Sequence, residues 1–91
     1  MPKYIVERDI PNAGSLTAEH IQGIAQTSCG VSAKMDTKIN WVESYVTDDK
    51  VYCVLIAPNE EALREHSEKG GFPVTKISRV TGMIDPSTAE G

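Results

Sequence analysis

The stretch from Ile39 to Pro58, INWVESYVTDDKVYCVLIAP, constrains the fold more than any other part of this chain. Two runs rich in β-branched and aromatic residues flank Asp48–Asp49, a pattern that predicts a β-hairpin turning at the aspartates. Period-2 alternation places Val42, Val46, Val51, Cys53 and Leu55 on one face. Trp41, Glu43, Tyr45, Tyr52, Val54 and Ile56 then fall on the other. The first face is small and apolar, suited to lie beneath helices. The second mixes two tyrosines, a tryptophan and a carboxylate, which suits neither plain solvent nor plain core. Function is expected on that second face.

The rest of the chain supplies the partners of this hairpin. Lys3–Asp9 (KYIVERD) reads as a strand, closed by the turn-rich Ile10–Gly14. Thr17 is a good helix N-cap with Glu19 in the first turn, and Ile21, Ile24, Ala25, then Cys29 or Ser28, recur at helical spacing towards Met35. Gly23 and Gly30 fall inside this helix; Gly30 marks either close packing on the sheet or a split into two shorter helices. Pro58 ends the hairpin, and Asn59 caps a second helix from Glu60 to about Lys69, stopped by Gly70–Gly71. Val74–Ile84 reads as a last strand. One domain over residues 1–84 is expected, with a flexible acidic tail over 85–91.

The resulting order, β-α-β-β-α-β, is the split βαβ of the ferredoxin-like fold: an α+β domain with an antiparallel sheet and both helices on one face. The other sheet face is bare in a monomer. With Ile5 and Glu7 of the first strand added, it carries two carboxylates and three aromatics, a patch large enough to imply a partner or a ligand. A second copy covers it most simply, giving a face-to-face homodimer. At 91 residues the chain buries only about 60–65% of its unfolded surface, so association adds useful stability.

Charge narrows the partners. Nine basic and thirteen acidic residues give a net charge of −4 with no basic run, which disfavours nucleic acid and anionic membranes. No apolar run reaches the ~20 residues of a membrane span, and a cytoplasmic setting is expected. Cys29 and Cys53 lack CxxC spacing and are expected as small, buried, unpaired thiols. Asp48, Asp49, Glu60, Glu61, Glu65 and Glu68 form acidic surface, read either as a solvated face or as an interaction surface.

Three functional readings follow from the residues. His66, with Glu7 or Glu43, offers a mixed nitrogen and oxygen site for a divalent metal, to which a dimer would contribute twice. His20, in the first turn of the first helix, reads as a surface residue. Trp41, Tyr45, Tyr52 and Arg79, with the glutamates, would line either a ligand cleft or a dimer interface. A carboxylate desolvated there could act as a general base on a small molecule. No Ser or Cys stands beside a His in a recognisable nucleophilic motif, so binding rather than catalysis is the leading expectation.

The residues also resemble a known family. YIVERDIP, the YVTDD turn with its VYC strand, the APNEEALREH helix start and the GGFP stop are together similar to small bacterial ferredoxin-like proteins of unknown function associated with nickel binding. The resemblance spans about Pro2 to Val80. It implies a dimeric ferredoxin-like fold and a site for Ni2+ or another divalent ion. Arg8, Asp9, Pro11 and Cys53 match the family pattern. His66 matches the first histidine of a helical His-x-x-x-His pattern, whose second position here is Gly70; Glu7 stands where many relatives carry another histidine.

Overall fold

The computed structural model describes residues 1–91. Its chain order is β1 (Lys3–Asp9), a 3-10 turn at Ala13–Ser15, α1 (Ala18–Lys34), β2 (Asn40–Val46), β3 (Lys50–Ile56), α2 (Glu60–Gly70), β4 (Lys76–Arg79) and a 3-10 turn at Pro86–Glu90. The strands form one antiparallel sheet in the order β2-β3-β1-β4. Both helices cover the same face, as the ferredoxin-like arrangement requires.

The helix ends follow local chemistry. Thr17 Oγ1 accepts the His20 amide at 3.1 Å, and Asn59 Oδ1 accepts the Ala62 amide at 2.9 Å. Gly71 closes α2 in the left-handed conformation, φ 73°, which glycine adopts without strain. α1 runs unbroken through Gly23 and Gly30, and a Cβ at either position would meet open space. Gly30 therefore marks neither a split nor a close contact with the sheet. β4 is four residues long rather than the expected eleven, and the acidic end forms a 3-10 turn whose cap Asp85 accepts the Thr88 amide.

The Asp48–Asp49 turn is docked rather than free. Ile10 and Gly14 donate their amides to the carbonyls of Asp49 and Asp48, both at 3.0 Å, and Asn12 donates to Asp49 Oδ1 at 3.1 Å. Asp49 is thereby held against the Ile10–Gly14 loop while it remains exposed.

The core is lopsided. Tyr4, Val6, Leu55, Ala57, Ala62, Leu63, Met35 and Ile39 form one buried cluster beneath α2 and the C-terminal end of α1. Towards its N-terminus α1 stands away from the sheet: Ile21 and Ile24 are each 42% exposed, and Ser28 is its single buried residue. Cys29 points to solvent and only Cys53 is partly covered, which corrects the expectation of two buried thiols; both are free.

Candidate functional site

A β-bulge decides which residues share a face. Trp41 pairs with Leu55 and Glu43 with Val54, so Val42 is an extra residue in β2. The insertion turns Trp41 onto the helix side, beside Ser44 and Val46, while Glu43 and Tyr45 keep the open side. Trp41 is therefore not part of the aromatic open face, contrary to the alternation. Arg79 is also on the helix side: it pairs with Tyr4, whose side chain is buried there.

The open face carries Ile5, Glu7, Glu43, Tyr45, Tyr52, Val54 and Ile56. Tyr45 is 55% exposed. Glu7 is already engaged: Lys50 donates to its Oε2 at 3.2 Å and to Asp9 Oδ1 at 2.6 Å. These bonds hold the lysine protonated well above its ordinary range and hold the Asp9 carboxyl below its own. Glu7 and Glu43 sit two strands and two residues apart, a diagonal of about 12 Å between their Cα atoms at ordinary sheet spacing.

His66 is on the other side of the sheet, which corrects its grouping with Glu7 and Glu43 within one chain. It is 2% exposed. Nε2 lies 3.3 Å from the Ser28 carbonyl oxygen and 3.3 Å from Ser28 Oγ. A carbonyl only accepts, so Nε2 carries the proton and Nδ1 holds a lone pair. Nδ1 is buried without a partner. Burial, and secondarily the nearby Arg8 charge, push the imidazole below its ordinary value. Gly70, where the family pattern has its second histidine, leaves no room for one: a Cβ there would lie 2.4 Å from the Phe72 ring.

These placements also test the residues against a metal. No three His, Cys, Asp or Glu side chains come together within one chain.

Arg8 is the residue that the site analysis of the sequence passed over. It is 5% exposed, yet it forms no ion pair. Nη1 donates to Ser67 Oγ at 3.0 Å and to the Pro73 carbonyl at 2.8 Å, Nε points to Cys53 Sγ at 3.4 Å, and Phe72 stacks 5.4 Å below the guanidinium. The signal was present in KYIVERD, where alternation sets a cation on the face of Tyr4 and Val6. Arg8, His66 and Trp41 all line a cavity of about 120 Å³ between α1 and the β2–β3 half of the sheet.

The strand order and the helix layer define a small α+β domain of ferredoxin-like fold. Residues 4–80 match the family described as nickel responsive protein SCO4226-like, and the chain belongs to that family. The crystal structure of SCO4226 from Streptomyces coelicolor A3(2) is similar at a TM-score of 0.78 and 15% identity, over 90% of this chain and 99% of that one. At that identity the likeness confirms the fold. No curated protein matches the chain. No helix is long and apolar enough to cross a membrane.

Proposed function

We propose that this protein is a nickel-responsive binding protein that works as a face-to-face homodimer and holds a divalent ion with carboxylates from both copies. The observation that carries this reading is the open sheet face, where Glu7 and Glu43 stand among Ile5, Tyr45 and Tyr52 with nothing in the chain covering them. Two-fold pairing of a patch with itself doubles every group on it. Two glutamates thereby become four, and the diagonal that separates them within one copy no longer limits which carboxylates meet. Family membership selects nickel as the first ion to try. An oxygen-rich set would also accept manganese or magnesium, so selectivity for nickel would be modest.

The test is calorimetric titration of chelator-stripped protein with nickel, run beside size-exclusion chromatography with light scattering. The expected result is saturation at a fixed ratio per dimer, with Glu43→Gln weakening binding at least about tenfold, or about 1.4 kcal/mol. Unchanged affinity in that variant would remove the open face from metal binding.

A further inference from the structure

We propose that the cavity between α1 and the β2–β3 half of the sheet is a binding site for a small monocarboxylate with an apolar, ring-sized body. The walls set the body. Leu16, Ile21, Ile24, Trp41, Val46 and Val51 line the cavity, and eleven of its fifteen lining residues are hydrophobic. A cavity of about 120 Å³ is close to the size at which an apolar protein cavity takes up benzene.

The polar residues set the head. The four polar lining residues are Arg8, Ser28, Ser44 and His66, with no carboxylate among them. Arg8 brings a full positive charge into this apolar setting. The neighbouring acids of β1, Glu7 and Asp9, point to the opposite sheet face and are taken by Lys50. Three neutral acceptors hold Nε and Nη1, and Nη2 makes no hydrogen bond within the chain. A buried cation without a counter-charge is costly, and a charge-assisted bond to an anion recovers that cost. A carboxylate seated against Nη2 supplies the missing counter-charge, while the His66 ring stays neutral in the cavity wall.

Entry needs no rearrangement of the core. The outer wall is the half-exposed stripe of α1, Ile21 and Ile24, on the side where the helix stands off the sheet. This site lies on the opposite side of the sheet from the proposed metal carboxylates, so the two readings stand or fall separately.

Trp41 is the chain's single tryptophan and forms part of the wall, so its fluorescence reports occupancy directly. The experiment titrates the full chain with benzoate and with its neutral isostere benzamide, following that fluorescence and the amide spectrum by NMR. The expected result is that benzoate binds at least about tenfold more tightly than benzamide and shifts amides of Arg8, Ser28 and His66. Ile24→Trp, at a 42% exposed rim position, should abolish the benzoate shifts in the amide spectrum while leaving the fold intact by circular dichroism. Equal affinity for the two probes would overturn the assignment of Arg8. No saturable response to either, or benzoate shifts that survive Ile24→Trp, would overturn the site itself.

Discussion

His66 donates from Nε2 to the carbonyl oxygen of Ser28 at 3.3 Å, a hydrogen bond that fastens α2 to α1 at the point where α1 begins to leave the sheet. The bond fixes the tautomer and leaves Nδ1 unpartnered, so folding requires this imidazole to be neutral.

That requirement makes stability depend on pH in a defined direction. Burial, then the Arg8 charge, lowers the folded imidazole below its ordinary value of 6.5. The unfolded chain therefore binds the proton more readily, and stability falls as pH drops below about 6.5, towards the lower folded value. The urea midpoint is expected to decrease between about pH 7.5 and about pH 5.5 in the wild type. His66→Gln, which keeps a polar side chain and cannot titrate, should flatten the decline. An equally steep decline in that variant would place the effect on another group.

The lopsided core predicts unequal costs for similar truncations. Leu63 is 1% exposed within the buried cluster, whereas Ile24 is 42% exposed on the detached part of α1. Leu63→Ala should cost about 2–5 kcal/mol, the range for a buried leucine that leaves a cavity, and Ile24→Ala less than about 1 kcal/mol. Chemical denaturation of both variants checks the contrast. Hydrogen exchange should rank the first turns of α1 as the least protected helix.

Much of this architecture was readable from the residues. Thr17, Asn59 and Gly71 act as the caps their chemistry suggests, and Lys3–Asp9 is a strand with the expected bounds. The failures have local causes. A single inserted residue, Val42, inverts the sidedness of Trp41, and no pattern in INWVESYV marks the bulge, because valine suits either face. Ser28 and Cys29 are adjacent on a helix and both small, so only the stand-off of α1 decides which one is buried. His66 lies on the Ala62–Leu63 flank of α2, and a histidine there reads equally well as a rim ligand or as a core residue. The choice depends on the height of α2 above Arg8, a tertiary quantity.

Gly70 and Phe72 form a second coupled pair. Alanine is ordinarily favoured over glycine in a helix by ~1 kcal/mol, but a methyl group at position 70 would sit 2.4 Å from Phe72 Cε2. The ring must then move off the guanidinium it stacks on. The clash exceeds the propensity gain, and Gly70→Ala should destabilise by about 1–3 kcal/mol. In a Phe72→Leu background the same change should cost markedly less. Additive effects in the double-mutant cycle would show that ring and backbone are uncoupled.

Lys50 competes with any cation offered to Glu7. Its ammonium lies 3.2 Å from Glu7 Oε2, where a coordinated ion would stand, and also engages Asp9. Exposed ion pairs of this kind contribute little to folding, so Lys50→Met should leave thermal stability nearly unchanged. It should, however, release Glu7 on the open face. If two copies assemble an ion between those faces, nickel affinity should rise several-fold in Lys50→Met and return to the wild-type level when Glu7→Gln is added. Tyr45→Asp, which sets a charge on the same face at a 55% exposed position, should convert dimer to monomer in light scattering and abolish binding in both backgrounds. A Lys50→Met protein that binds nickel no better than the wild type would take Glu7 out of the ligand set, and an intact Tyr45→Asp dimer would move the interface elsewhere.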